Sequence, residues 1–223
     1  IWGNKSSILV GDYLLSRCFE MMVEDGSNEV LKLLSSTSAE ISQGEVLQLQ
    51  YEGEIDMLEE TYLKIISAKT ASLFAAATKV GSIISNKENK IKDALEFYGK
   101  NLGLTFQIAD DTLDYNSELK LFGKEIGNDF YEGKITLPII LLYQKAKIDE
   151  KRELKELFQK KERSEEEFKR ILSMIKKYNI IFECYRKAEH FINLASNSLS
   201  VFNMTKEKDI LQNLTSFSLG RTF

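Results

Sequence analysis

Proline is nearly absent from this sequence, since Pro138 is the only one in 223 residues. Average usage of about 5% would give roughly eleven. Proline lacks a backbone N–H and clashes with the preceding turn, so helix interiors exclude it. We also find no strand pattern, internal repeat or low-complexity linker. The sequence therefore predicts one all-α domain over residues 1–223.

Cysteine, histidine and long apolar runs are equally scarce. Cys18 and Cys184 lie far apart without metal-site spacing, and His190 is the only histidine. These counts argue against a disulfide scaffold and an imidazole-based metal centre, so any metal must be held by oxygen. The longest uncharged stretch, 135–144, is too short to cross a bilayer, and no signal-peptide pattern opens the chain. The sequence predicts a cytoplasmic, reduced protein without a transmembrane segment.

Basic residues are not in excess either. The net charge is -4 and the sequence pI is about 5.3. No overall positive charge draws the protein to nucleic acid or to anionic lipid, so neither is a predicted partner.

Helical periodicity dominates what is present. The predicted helices cover 14–25, 30–49, 57–84, 88–115, 137 onward, 150–161, 164–177, 178–202 and 206–219. Ser164 followed by Glu167 is a capping box, and Pro138 suits a first turn. Between residues 116 and 134 the periodicity fails in a polar, glycine-rich stretch, which predicts an ordered loop with one short helical turn. Loops of this length are uncommon unless they are functional.

The clearest chemical signal is a cluster of carboxylates at the end of the fourth predicted helix. Gln107, Asp110, Asp111 and Asp114 fall on one helical face within two turns. Like charges so placed repel, and Mg²⁺, which prefers carboxylates, waters and phosphate oxygens, relieves that repulsion. An ordinary solvated acidic face is the alternative, but the flanking apolar residues indicate a cavity lining. The alternating ligands and central glycine of an EF-hand are absent.

Three lysines are candidates for holding an anion near these acids. Lys124 and Lys134 each follow a glycine in the predicted loop. Loop lysines are usually solvated, but this pair suits an anion that a metal ion and ammonium groups hold together. Lys69 and Thr70 lie inside the apolar helix 57–84, where Lys69 either extends to the surface or meets the same anion.

The order of these motifs resembles that of the trans-type polyprenyl diphosphate synthases. The resemblance covers essentially the whole chain and is closest to the long-chain, octaprenyl-like members. Its motifs in chain order are Gly11-Asp12, Gly44-Glu45-x-x-Gln48, Lys69-Thr70-Ala71, Phe106-Gln107-x-x-Asp110-Asp111-x-x-Asp114, Gly123-Lys124 and Gly133-Lys134-x-Thr136-Leu137-Pro138. The last three, in that order and spacing, are the most specific.

The resemblance implies an all-α helical bundle of the isoprenoid synthase type around a central cavity. It implies a prenyltransferase that condenses isopentenyl diphosphate with an allylic diphosphate of the geranyl or farnesyl type. The product would be a trans long-chain polyprenyl diphosphate, as used for quinone side chains, and the enzyme a homodimer. In that family, two aspartate-rich motifs face each other across a Mg²⁺ cluster.

The same resemblance implies roles for individual residues. It implies that Asp110 and Asp114 are Mg²⁺ ligands, with Asp111 in support. It implies that the allylic diphosphate is contacted by Lys69, Lys124 and Lys134. It also implies that Gln107 and Thr70 lie at the reacting centre. Phe74 and the alanines 75–77 are candidate walls for the growing chain, with core packing as the alternative.

The family's first aspartate-rich motif has no counterpart in this sequence. It would precede Ile1, as would the residues that hold isopentenyl diphosphate. We therefore expect an N-terminal part of the protein to lie outside these residues, and the 223 residues alone to carry half a metal site and to be inactive.

Two other functions stay open at this point. A non-catalytic subunit of a heteromeric prenyl diphosphate synthase would shape its partner's product, but it need not keep three clustered carboxylates. A terpene cyclase would use the same scaffold, and against it the two Gly-Lys motifs favour chain elongation.

Overall fold

The computed structural model describes residues 2–116 and 126–220, and within these ranges its regular structure is entirely helical. The α-helices are α1 (Gly3–Asp25), α2 (Asn28–Gln50), α3 (Glu59–Ile66), α4 (Ser72–Ile84), α5 (Asn89–Leu113), α6 (Asn128–Glu132), α7 (Leu137–Lys145), α8 (Ile148–Phe158), α9 (Glu165–Lys177), α10 (Ile180–Ser198) and α11 (Lys206–Gly220). The predicted all-α class is confirmed.

Local signals in the sequence explain several helix ends. Ser164 and Glu167 form the predicted capping box, because each side chain accepts the other residue's backbone N–H, at 3.3 and 2.7 Å. Pro138 lies in the first turn of α7, where its missing N–H has no intrahelical partner to lose. The predicted short turn in the loop is α6.

The predicted helix 57–84 differs in detail. It begins at Glu59, and a π-helical segment, Ser67–Ala71, separates α3 from α4. This segment contains Lys69 and Thr70. Gly44 of α2 packs directly on it, since a Cβ at Gly44 would lie 2.6 Å from the backbone nitrogen of Lys69. A side chain at this position would displace the segment.

Helix α5 is the central element of the described structure. It packs along α4 on one side and along α10 on the other. Two glycines allow close approach on this side, because a Cβ at Gly99 would lie 2.3 Å from the carbonyl oxygen of Phe74 in α4, and one at Gly103 would lie 2.6 Å from the Cα of Ala71 in the π-helical segment. The backbone of α5, which carries the acidic motif, therefore lies in direct contact with the backbone of its neighbour.

The larger hydrophobic core lies between the C-terminal half of α5 and the helices that follow it. Its fully buried members include Ile108, Phe130, Leu137, Ile139, Ile140, Leu142, Leu154, Ile171 and Ile180. Each such side chain contributes about 1.5–3 kcal/mol when removed from water. A smaller cluster around Tyr98 and Leu199 joins α5 to the end of α10. The core therefore fixes the end of α5 at which the acids lie.

Helix α1 lies outside this core. Its apolar residues are exposed, among them Ile8, Leu9, Tyr13 and Phe19, and the helix has no buried residue. Its contacts are with α2. An apolar surface of this kind marks an interaction site. None of the helices described here is long and apolar enough to cross a membrane.

The two cysteines give a direct test of this packing. Cys184 is buried in α10, and burial raises the pKa of its thiol to about 12. At neutral pH such a shift lowers the reactive thiolate fraction roughly a thousandfold. Cys18 is exposed on α1. We expect a Cys18→Ser variant to resist Ellman's reagent when native and to react with it once unfolded in guanidinium. Rapid labelling of the native variant would contradict the placement of α10.

Candidate active site

A cavity of about 730 Å³ lies between α2, α3, α5 and the segment around α6. Its volume is within the range of about 300–1,000 Å³ that is usual for small-molecule sites. The polar residues that line it are Glu45, Gln48, Tyr51, Glu52, Tyr62, Lys69, Gln107, Asp110, Asp111, Asp129, Glu132, Lys134 and Thr136, and the apolar ones are Leu49, Met57, Ile65, Ile66 and Ile135.

Carboxylates dominate one wall of the cavity. Burial, helped by the charges of Asp129 and Asp110, raises the pKa of the Asp111 carboxyl above its usual range. Burial and the neighbouring Asp114 raise the pKa of Asp129, and Lys134 opposes that shift. These directions show that negative charge is held close together at low dielectric, so a cation placed here is stabilised.

The donor set fits a hard divalent cation. Among the described residues, no three His, Cys, Asp or Glu side chains converge closely enough to hold a metal ion alone. Mg²⁺ does not need such a cage, because it is usually bound through one or two carboxylates together with waters and substrate phosphates. Asp110 and Asp129, both in the cavity lining, supply such carboxylates.

A chain of hydrogen bonds crosses the floor of the site. The Tyr62 hydroxyl donates to Oδ2 of Asp111 at 2.7 Å, and Nε2 of Gln107 donates to Oδ1 of Asp111 at 2.8 Å. The Thr70 hydroxyl donates to Oε1 of Gln107 at 2.7 Å. The structure thus brings together Thr70 and Gln107, the two residues predicted at the reacting centre, although Thr70 itself does not line the cavity.

Asp114 departs from the predicted arrangement. Its carboxylate accepts the backbone N–H groups of Gly127, Asn128 and Asp129 at 3.1, 3.3 and 2.9 Å, and it is not among the residues that line the cavity. Asp114 keeps helical backbone angles at the C-cap of α5. Its carboxylate is engaged by the returning chain, which presents the unpaired N–H groups at the start of α6. Metal binding by Asp114 stays a prediction.

Two of the three predicted lysines line the cavity. Nζ of Lys69 donates to Oε1 of Gln48 at 2.8 Å and lies 3.1 Å from Oε2 of Glu45. Nζ of Lys134 lies 3.3 Å from Oδ1 of Asp129 and 2.6 Å from Oε2 of Glu132. Partly exposed ion pairs contribute only about 0–1 kcal/mol each, so an incoming anion can replace these partners.

The third predicted lysine, Lys124, lies outside the described residues, so its role stays a prediction.

Sequence reasoning missed Asp129 and Tyr62. Asp129 lies between the two Gly-Lys motifs, five residues before Lys134, and an acid in that functional loop was a usable signal. Tyr62 lies seven residues before Lys69, which is two helical turns on the same face, but a single tyrosine at helical spacing does not distinguish a site residue from a core residue.

The candidate wall residues take different positions. Phe74 packs on Phe106 with ring centroids 5.4 Å apart. Ala75 and Ala76 line a second cavity of about 390 Å³, which also borders α2 and the N-terminal half of α5.

Comparisons with known proteins agree with one another. The family model described as polyprenyl synthetase matches residues 1–175. The all-trans-nonaprenyl-diphosphate synthase (geranyl-diphosphate specific) of Rhodobacter capsulatus is 33% identical over 220 residues, which are 99% of this chain and 67% of that protein. Octaprenyl diphosphate synthase of Escherichia coli K12 is 42% identical over 139 residues, which are 62% of this chain and 43% of that protein.

Solved structures show the same likeness. A polyprenyl synthase from Caulobacter crescentus CB15, complexed with calcium and isoprenyl diphosphate, superposes with a TM-score of 0.94 at 36% identity, covering 100% of this chain and 68% of that one. A decaprenyl diphosphate synthase from Rhodobacter capsulatus gives a TM-score of 0.93 at 35% identity over 100% of this chain and 68% of that one. The chain spans about two thirds of the length of these relatives, and the E. coli match spans less than half of its relative.

The capping role of Asp114 can be separated from metal binding by stability. Removing a carboxylate that accepts three backbone N–H groups costs about 2 kcal/mol. We expect Asp114→Ala to lower the melting temperature by about 4–8 °C. Asp12→Ala, which changes an exposed carboxylate on α1, is the control and should leave it nearly unchanged. An unaltered melting temperature for Asp114→Ala, measured by circular dichroism, would show that the cap contributes nothing.

Proposed function

This chain belongs to the polyprenyl synthetase family, and we propose that the protein is a trans-polyprenyl diphosphate synthase. It condenses isopentenyl diphosphate with an allylic diphosphate and lengthens the chain. The observation that carries this proposal is the cavity itself, in which carboxylates, two lysines and an apolar wall lie side by side. The relatives, named as nonaprenyl and octaprenyl diphosphate synthases, support a long-chain product.

Mg²⁺ is the proposed cofactor, and Asp110 with Asp129 would hold it at the mouth of the cavity. When bound, the ion supplies charge stabilisation to the diphosphate as it leaves. The neighbour that is complexed with calcium and isoprenyl diphosphate supports a divalent cation beside such a substrate.

Lys69 and Lys134 would hold the allylic diphosphate. Both ammonium groups are about one-third exposed and bind carboxylates at the cavity wall. Exchange of those carboxylates for diphosphate oxygens gives charge-assisted hydrogen bonds. Their stabilisation grows as negative charge develops on the leaving group, so they lower the barrier to ionisation rather than only tighten binding.

The apolar side of the cavity protects the reacting carbon. When the C–O bond breaks, the diphosphate keeps the electron pair and the allylic fragment becomes a cation. Met57, Ile65 and Ile66 exclude water that would capture it. The double bond of isopentenyl diphosphate attacks the cation, and the proton that is lost passes to the departing diphosphate. The amide oxygen of Gln107, held by Thr70, lies in the lining where such a cation would form.

The proposed long-chain product would suit a quinone side chain. The second cavity lies further along α2, where Leu33, Thr37 and Glu40 follow the same helical spacing as Gln48 of the first cavity. Its lining is mostly polar or charged, with Glu40, Asp93, Glu96 and Lys100 among its residues, so it does not suit a hydrocarbon chain.

A homodimer completes the proposal. The exposed apolar residues of α1 supply a surface that a second copy of the chain can cover. The proposed location of the enzyme is the cytoplasm. No observation favours the non-catalytic subunit, because the wall keeps Asp110, Asp111 and Lys134 together.

The first test is product formation. Full-length protein given farnesyl diphosphate, labelled isopentenyl diphosphate and Mg²⁺ should form long-chain products that chelation with EDTA abolishes. Asp110→Asn should lower kcat at least about a hundredfold, because it removes about 2.7 kcal/mol of charge stabilisation. Asp149→Asn, an exposed change on α8, is the control. Activity of Asp110→Asn within about tenfold of the wild type, or about 1.4 kcal/mol, would contradict the proposed metal site.

Lys134 gives a second test. Lys134→Ala should raise the KM for the allylic diphosphate about tenfold or more, since a hydrogen bond to a charged group is worth about 1.5–3 kcal/mol. It should also lower kcat, because this stabilisation grows as the leaving group gains charge. Its melting temperature should change little, because the ion pairs of Lys134 are partly exposed. Lys145→Ala removes a similar ion pair, with Glu183, away from the cavity and should leave the KM unchanged. A variant that unfolds instead would show that Lys134 is structural.

A further inference from the structure

We propose that Tyr62 is a positioning residue of this site: it holds Asp111, and Asp111 in turn fixes the side-chain amide of Gln107 toward Thr70. The inference deepens the proposed function and rests on it. The Tyr62 hydroxyl donates to Asp111, so its proposed role is exerted through that carboxylate.

Both oxygens of the Asp111 carboxylate are engaged. Oδ2 accepts from the Tyr62 hydroxyl at 2.7 Å, and Oδ1 accepts from Nε2 of Gln107 at 2.8 Å. Tyr62 is 2% exposed and Asp111 is 5% exposed. Because little solvent reaches these two side chains, the loss of either hydrogen bond is costly.

The carboxylate decides which way the amide of Gln107 faces. A side-chain amide has a donor end and an acceptor end of nearly equal size. Oδ2 of Asp111 accepts from Tyr62, and Oδ1 accepts from Nε2 of Gln107 at 2.8 Å. With Nε2 engaged in this way, Oε1 of Gln107 accepts from the Thr70 hydroxyl at 2.7 Å. The reversed amide would lose the bond to Oδ1. Asp111 thus removes an ambiguity that Gln107 and Thr70 alone would leave open.

Tyr62 holds the Asp111 carboxylate in the orientation in which it accepts from Gln107. The bond joins α3 to α5 across 49 residues of sequence. Burial and the charge of Asp111 raise the pKa of Tyr62 well above its usual value, so its hydroxyl keeps the proton and remains a donor. Without that donor, Oδ2 would be buried and unpaired, and the carboxylate would rotate away from Gln107 to find a partner in the cavity.

A purely structural role for Tyr62 predicts something different, and the chain supplies a matched control. Tyr98 is also fully buried, and its hydroxyl donates to the carbonyl oxygen of Leu211 at 2.8 Å. That bond joins α5 to α11 and does not contact the cavity. Tyr62→Phe and Tyr98→Phe therefore remove the same atom from comparable surroundings, with only the first connected to Gln107.

The experiment compares these two variants in the full-length protein. We expect Tyr62→Phe to lower kcat about 10–100-fold, as is typical when a partner that orients a site residue is lost, with both KM values within about threefold. Tyr98→Phe should keep kcat within about threefold, and the two melting temperatures should fall by similar amounts. In an Asp111→Asn background, Tyr62→Phe should lower kcat by less than about threefold further, because residues that act as a unit are not additive.

A second readout does not need turnover. In a ¹⁵N–¹H spectrum of the protein without substrate, the side-chain amide signals of Gln107, assigned with Gln107→Leu, should shift in Tyr62→Phe and stay in place in Tyr98→Phe. Unmoved signals would overturn the proposal, as would equal losses of kcat in the two variants. An inactive wild type would overturn the proposed function instead, and the Gln107 signals would then decide the positioning on their own.

Discussion

The close packing of α5 against α4 is the constraint on which the site depends. Gly99 and Gly103 leave no room for a side chain between the backbones, so α5 packs in direct backbone contact with α4 and the π-helical segment before it. The larger core then fixes the C-terminal half of α5 from the other side, through α10. Three of the polar residues that line the cavity, Gln107, Asp110 and Asp111, are borne by this one rigid helix. Helix packing therefore fixes the positions of these three side chains. The segment around α6 then adds Asp129 and Lys134 to the same cavity.

The electrostatics of the cavity follow from that rigidity. Burial, together with the charges of neighbouring acids, raises the pKa of Asp111 and of Asp129, and Lys134 opposes the shift of Asp129 only partly. The pairs made by Lys69 and Lys134 are partly exposed and hence weak, whereas bonds from the same groups to a diphosphate would be charge-assisted. A site of this kind attracts a cation and an anion together, because each makes the other's binding less costly. That coupling is what the proposed reaction requires, since a large negative charge must separate from a carbon cation.

Periodicity and spacing predicted much of this from the sequence. The all-α class and the capping box at Ser164 depend on local physics, and the described residues show both. Spacing did not show what Asp114 does. Asp114 shares the face of the other acids, but unpaired N–H groups of α6 bind its carboxylate. Such tertiary competition for a side chain has no signature in spacing, and a single tyrosine at helical spacing did not show Tyr62 as a site residue. Asp129 had a signal, its place between the two Gly-Lys motifs, which the motif analysis did not use.

The three aspartates of the motif are therefore not equivalent, and their spacing explains why. Asp110 lines the cavity on the side open to solvent, where a metal ion and its waters have room. One residue later, a rotation of about 100° turns Asp111 inward, where it can meet Tyr62 and Gln107. One turn after Asp110, the helix has ended, and Asp114 caps α6 and so fixes Asp129, which rejoins the cavity wall. A single acidic motif thus supplies a carboxylate to the cavity, orients an amide beside it, and anchors the segment that brings a second carboxylate. Asp111 and Asp114 thus hold in place the structure that brings Asp110 and Asp129 to the cavity wall.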